Sequence, residues 1–188
     1  SMEASGLQEI SNPAGLFLEE RSNDASGSVV CACLEGNRPI LVEVQALVAK
    51  TPYGMPRRTA VGFDYNRVTM LLAILERRLG MDFGAYDAYV NVVGGMRVTE
   101  PAADLAVAAA LVSSYRNRPI PHGVLVMGEV GLTGEVRRIG SPERRIKDAM
   151  NLGFKRFVLP MGKLSLDEPC NGIVQVKTLE EALDKVFA

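Results

Sequence analysis

The sequence predicts an α/β fold, a mixed β-sheet layered with helices. Short runs rich in β-branched residues alternate with segments whose apolar residues recur at helical spacing. Glycine and proline punctuate the junctions between them. One helical segment, Pro101 to Tyr115, is apolar almost all round, so it must be buried on most sides of a layered core.

Taken in order, Ser28 to Leu34 is a β-branched and small-residue run, and Glu35-Gly36-Asn37-Arg38-Pro39 is turn chemistry. Ile40 to Ala49 alternates, so the three together read as a long β-hairpin. Thr51-Pro52-Tyr53-Gly54-Met55-Pro56 breaks the strand, and Thr59 to Phe63 is a short third one. Asn66 to Leu79 is a helix: Val68, Leu71, Leu72, Leu75 and Leu79 share one face, and Gly80 stops it. Tyr86 to Val93 is a strand ending in Gly94-Gly95, and Pro101 opens the apolar helix. Val124 to Met127 is a buried strand; Gly128, Gly131 and Gly134 punctuate a loop, and Glu135 to Ile139 returns as a strand. Ser141 should cap a helix that has Pro142 at its first position and stops at Gly153. Arg156 to Leu159 and Ile173 to Val176 are strands, and Leu179 to Phe187 is a terminal amphipathic helix.

Composition bounds the function. The chain has 188 residues, 47% apolar and 23% charged, as expected of one soluble globular domain. Ser1-Met2 reads as a cleavage scar, residues 1–12 as an interdomain leader, and 13–188 as a domain of a longer protein. No apolar run reaches the roughly 18 residues of a membrane span, so no membrane role is expected. The net charge of -1, from 21 basic and 22 acidic residues, gives no global pull on nucleic acid. Three cysteines, with Cys31-Ala-Cys33 too close for a zinc knuckle and Cys170 distant, fit neither a disulfide framework nor a metal site. The one histidine, His122, lies in a loop-like run and has no evident partners for a catalytic triad. No phosphate-binding Gly-x4-Gly-Lys-Ser/Thr loop is present, so ATP, Mg and Zn are not expected to bind these residues.

The run Gly128-Glu129-Val130-Gly131-Leu132-Thr133-Gly134-Glu135-Val136-Arg137-Arg138-Ile139-Gly140 resembles the loop of the Lon protease proteolytic domain. The resemblance spans roughly Gly27 to Pro160. Within that superfamily, Ser11-Asn12-Pro13, Leu41 to Val48, Arg57-Arg58, Asn66-Arg67, Val90-Asn91-Val92-Val93-Gly94-Gly95 and Gly153-Phe154-Lys155-Arg156 resemble one branch. It is the carboxy-terminal Lon-like domain of the RadA (Sms) family of bacterial DNA-repair proteins. The resemblance implies the Lon proteolytic-domain fold, of the ribosomal-protein/GHMP-kinase-like superfold. It also implies a cytoplasmic bacterial parent with a zinc finger and a RecA-like ATPase core, where ATP, Mg and Zn would act. That parent would work in recombination and branch migration, as a hexameric ring, beside a RecA-type recombinase.

A Lon-type peptidase uses a serine nucleophile and a desolvated lysine base. On the resemblance, the serine position is Ala102, in Glu100-Pro101-Ala102-Ala103-Asp104, and the lysine position is Glu143. A methyl group cannot attack a carbonyl, so this domain is expected not to be an enzyme. A shifted pair, Thr99 with Lys147, is the alternative by which peptidase activity would survive; Lys147 shares the helix face of Glu143. Asp104, on an otherwise apolar helix, needs the helix dipole or an arginine partner.

The candidate DNA-contacting residues are Arg38 at a hairpin tip, Arg57 and Arg58 beside a Pro/Gly-rich loop, and Arg137, Arg138, Arg144, Arg145 and Lys147 within eleven residues. Strand alternation sends Arg137 and Arg138 to opposite faces. Single- or double-stranded DNA would be held through phosphates, independent of sequence and sensitive to salt. Aromatics are too few for a base-stacking platform; Tyr53 beside Arg57-Arg58 is the one exception, and its alternative reading is an ordinary loop residue. Three functions compete: an inactive Lon-like domain that is both ring scaffold and DNA-binding surface, a ring-forming domain with no DNA contact, and an active peptidase.

Overall fold

The computed structural model describes residues 2–3, 6–7, 25–52, 54–166 and 169–188. The rest of the leader, Ser11-Asn12-Pro13 and Tyr53 therefore lie outside the described residues. Two short strands, β1 (Met2–Glu3) and β2 (Gly6–Leu7), pair antiparallel. The domain proper runs β3 (Ser28–Glu35), β4 (Arg38–Lys50), β5 (Arg58–Val61), α1 (Tyr65–Leu79), β6 (Tyr86–Val92), α2 (Asp104–Arg116) and β7 (Val124–Val126). It continues through β8 (Glu129–Val130), β9 (Val136–Arg137), α3 (Pro142–Asn151), β10 (Arg156–Pro160), β11 (Ile173–Val176) and α4 (Leu179–Val186).

A seven-stranded mixed sheet, ordered β11-β10-β7-β3-β4-β6-β5, is the spine. The pairs on β4 are antiparallel, as the hairpin requires, and the other pairs are parallel. Alternation along each strand divides two layers. Val29, Cys31 and Cys33 of β3, with Val42, Val44 and Ala46 of β4, face one side, against α1, α2 and α4. Val30, Ala32, Leu125 and Phe157 face the other, against Ile146 and Ala149 of α3. The helix expected to be buried all round is so: every residue of α2 from Asp104 to Ser113 is buried, because sheet, α1 and the β8–β9 hairpin surround it.

Gly80 ends α1 in the left-handed region, at φ 64, and its N–H caps the Glu76 carbonyl. The third strand appears as β5, which pairs parallel with β6 at the sheet edge. Two expectations shift. The strand expected over Glu135 to Ile139 shrinks to β9, which pairs with β8 outside the main sheet. Ser141 stands at the start of α3, but at φ 51 it takes a left-handed turn and its hydroxyl caps nothing.

Candidate functional site

Pro101 to Ala103 form a short 3-10 turn that runs straight into α2. Ala102 is buried, and its carbonyl accepts from Gly128 N–H at 2.8 Å, while the Gly128 carbonyl accepts from Leu105 N–H at 3.0 Å. A Cβ on Gly128 would meet a Val136 side-chain methyl at 2.8 Å, so a larger residue here would force Val136 to shift. The second position, Glu143, is half-buried on α3, where its carboxylate accepts from Ser165 N–H at 3.3 Å. Glu143, Arg144, Lys147 and Ser165 border a cavity of about 280 Å³. Thr99 is exposed and borders a different cleft, between the β3–β4 turn and residues 96–100.

The segments that carry Ala102 and Glu143 are stapled together by a pair that the sequence did not disclose. Arg145 is 1% exposed. Its guanidinium donates to both Glu100 oxygens at 2.7 and 2.8 Å, to the Ala32 carbonyl at 2.6 Å and to the Gly140 carbonyl at 2.8 Å. Glu100 also accepts from Leu34 N–H at 2.6 Å. One arginine thus ties α3 to β3 and to the entrance of α2. This corrects the expectation that Arg145 faces DNA: it is buried and four of its five N–H donors are taken by carbonyl and carboxylate oxygens, so no phosphate can reach it.

Arg58 is likewise occupied. Its guanidinium donates to the Phe83 carbonyl at 2.7 Å, to the Arg57 carbonyl at 3.3 Å and to the Tyr86 carbonyl. Arg137 is exposed but paired with Glu135 at 2.8 Å, and Arg138 leans its Nε toward the Met161 carbonyl at 3.3 Å, so the two diverge. Arg38 and Arg144 are exposed and have no ion-pair or hydrogen-bond partner among the described residues. Lys147 is exposed on α3, and Arg57 is exposed with its N–H bound to Asp87 at 2.7 Å.

The set is not one surface. Arg38, Arg137, Arg138, Arg144 and Lys147 gather where the parallel strands end, around the β3–β4 turn and the start of α3. Arg57 and Arg58 lie beside Lys50 at the far end of β4. That strand runs thirteen residues from Arg38 to Lys50, which at ~3.3 Å each separates the two ends by about 40 Å. Arg97 is a member that the sequence reading missed. It is exposed, borders the cleft beside Glu35 and Gly36, and joins the Arg38 end. Its signal was weak, a single arginine in Gly95-Met96-Arg97-Val98 with no basic neighbour.

Asp104 finds its arginine. Its carboxylate, fully buried, accepts from Arg67 Nε at 2.8 Å, from a second Arg67 N–H, and from Val130 N–H at 3.1 Å. Asp87 closes the Thr51–Arg57 loop by accepting from the Thr51 hydroxyl at 2.9 Å and from Arg57 N–H. The Arg57 N–H foremost, then the Thr51 hydroxyl and the nearby arginines, hold its carboxyl below the usual range. Glu135 accepts from the Thr133 hydroxyl and N–H and from Arg137, which pulls it down to about 2. Cys31 and Cys33 lie side by side on the buried face of β3, sulfurs 3.5 Å apart. The Cys31 hydrogen bond and burial push the Cys33 thiol well up. His122 is exposed, and among the described residues no group of His, Cys, Asp and Glu is arranged to hold a metal.

A family described as subunit ChlI of Mg-chelatase matches residues 44–163. The chain is also similar to curated proteins named DNA repair protein RadA. That of Halalkalibacterium halodurans is 48% identical over 187 residues, 97% of this chain and 40% of that protein. Those of Pseudomonas aeruginosa and Bacillus subtilis are 49% and 47% identical over 183 and 184 residues, with the same shares covered. The chain spans 40% of the length of these relatives. Among the described residues no helix is long and apolar enough to cross a membrane.

Proposed function

The chain belongs to the family described as subunit ChlI of Mg-chelatase, by a match over residues 44–163, and from that membership and its RadA relatives we propose that it is the non-proteolytic, Lon-like domain of a RadA-type DNA-repair protein. It serves as a ring-forming scaffold and as a DNA-contacting surface for a longer ATPase. ATP, Mg and Zn act in that remainder, and a RecA-type recombinase is its partner. The reading follows the RadA relatives because they match 97% of this chain.

The observation that carries it is the basic end built by Arg38, Arg97 and Arg144, exposed arginines whose side chains form no ion pair among the described residues. Phosphate contact asks for such cations on one surface and little else. Peptidase activity has less support: Ala102 presents a buried methyl, and Thr99 and Lys147 border different clefts.

The test is fluorescence anisotropy with single- and double-stranded DNA across a salt series. If three phosphates are neutralised, a log–log slope of about -2.7 is expected for duplex and about -2.1 for single strands. Arg38→Ala, Arg97→Ala and Arg144→Ala should each flatten the slope by about 1, and Arg57→Ala should leave it unchanged. Absence of binding at low salt would reduce the proposal to ring assembly alone. Equal losses from both ends would move the DNA off the Arg38 end.

A further inference from the structure

We propose that the cleft between the end of β3 and residues 96–100 receives one unpaired base of bound DNA, while Arg38 and Arg97 hold the phosphates on either side of it. The inference rests on the DNA-contacting part of the function above and names the feature of the nucleic acid that this end selects.

The cleft holds about 330 Å³, at the lower end of the size of small-ligand sites. One wall is the end of β3 with the facing start of β4, and the other is the segment from Met96 to Glu100, extended at both its ends. Leu34 and Ile40 on the first wall, and Met96 and Val98 on the second, give it aliphatic sides. Both walls are fixed. The Glu100 carboxylate accepts from Leu34 N–H at 2.6 Å and from Arg145, and Val98 N–H donates to the Gly62 carbonyl at 2.8 Å. The cleft is thus formed before anything enters it, and filling it costs little ordering.

Its polar side chains are few and unengaged. Thr99 and Glu35 border it, are exposed, and form no side-chain hydrogen bond or ion pair among the described residues. A hydroxyl donates and accepts and a carboxylate accepts, so the two together match the mixed donors and acceptors along a base edge. Arg97 borders the same cleft, and Arg38 stands opposite Glu35 across the hairpin turn. Both arginines are exposed and in no ion pair among the described residues.

This combination fits a nucleotide better than a peptide. A peptide laid along a strand asks for a row of free backbone N–H and C=O groups. Here Leu34 N–H and Val98 N–H are already taken. A base taken out of its stack asks instead for apolar or guanidinium faces, a few polar groups at its edge, and cations for its phosphates. The aliphatic walls supply the first, Thr99 and Glu35 the second, and Arg38 and Arg97 the third. A base stacked inside a duplex cannot reach the cleft, and an unpaired one leaves the stack at least cost. This end therefore selects DNA that carries an unpaired nucleotide over uniform duplex.

Fluorescence anisotropy tests this with three otherwise identical duplexes: one fully paired, one with a single unpaired 2-aminopurine, and one with an abasic residue in its place. Wild type should bind the bulged duplex roughly fivefold or more tighter than the abasic one. Emission from the 2-aminopurine should rise on binding, as it leaves its stacked neighbours. Thr99→Leu, which fills the cleft and removes the hydroxyl, should abolish both the preference and the rise, with circular dichroism verifying its fold. Arg38→Ala should weaken binding of all three by one factor and keep the preference. Equal affinity for bulged and abasic duplexes, with salt-dependent binding intact, would overturn the cleft and leave the DNA-contacting end standing. No binding of any duplex at low salt would overturn that reading and this inference with it. A preference that survives in Thr99→Leu would place the base elsewhere and overturn the assignment. A deoxynucleoside monophosphate that displaces the bulged duplex as readily as unlabelled bulged duplex does would give the cleft to a free nucleotide and overturn the DNA form of the proposal.

Discussion

Replacing Arg145 with alanine separates a structural arginine from a DNA-binding one. The side chain is 1% exposed and makes four hydrogen bonds, two of them to Glu100. Removing one partner of a buried pair typically costs about 3–5 kcal/mol, because the other charge is left behind. Here Glu100 keeps 22% side-chain exposure and the Leu34 N–H at 2.6 Å, which places the loss toward the lower end. The Ala32 and Gly140 carbonyls each lose a donor, adding about 1 kcal/mol apiece at most. A loss of about 3–5 kcal/mol follows, or about 6–20 °C in Tm for a chain of this size. Urea unfolding followed by circular dichroism reads it, in a double-mutant cycle with Glu100→Gln. The paired variant should cost clearly less than the sum of the singles. A single-variant loss below about 0.5 kcal/mol, together with weaker DNA binding by the folded protein, would refute the burial argument and return Arg145 to the surface.

Other outcomes follow from the same geometry. Asp104→Asn keeps the shape but sets an amide N–H₂ against Arg67 or Val130 N–H, and should cost about 2–4 kcal/mol in urea unfolding. Glu135, with its native carboxyl at about 2, contributes stability that is fully present above its unfolded value near 4.5 and is lost as pH falls toward 2. Acid titration followed by NMR at Thr133 and Gly134 should show this, and Glu135→Gln should abolish it. Under a thiol reagent, Cys170, half-buried, should label first, while Cys31 and Cys33 wait for unfolding. Three fast equivalents from folded protein would contradict their burial.

The parts that the sequence exposes are those governed by short-range periodicity. Alternation in Ile40 to Ala49, the helical recurrence from Val68 to Leu79, and the unbroken apolar surface of α2 all appear where expected. The rest depends on distance along the chain. That β5 lies beyond β6 rather than beside β4 is a sheet-order property with no local signature. Arg145 shows the boundary well. It lies four residues before Ala149 and next to Ile146, on the buried stripe of α3, so its burial could have been read from spacing. Its partner Glu100 is forty-five residues earlier and could not. The same holds for Asp104, whose need for the helix dipole or an arginine was legible, while the outcome, Arg67 thirty-seven residues away, was settled by how α1 crosses α2.

Two buried ion pairs therefore do different work at one place. Arg67 with Asp104 fastens α1 to the start of α2 and to β8, and Arg145 with Glu100 fastens α3 to the segment just before α2. A buried pair is weak evidence of net stability but strong evidence of fixed geometry, because each charge is costly anywhere except beside its partner. Both pairs converge on the few residues around Ala102, where a nucleophile would need rigid placement. On the non-proteolytic reading proposed above, that rigidity serves no acyl transfer. It holds the β8–β9 turn, the basic end near Arg38 and the α3 surface in one relative arrangement across both layers of the sheet. On the function proposed above, a domain that presents a DNA-contacting end in a fixed orientation needs such a junction.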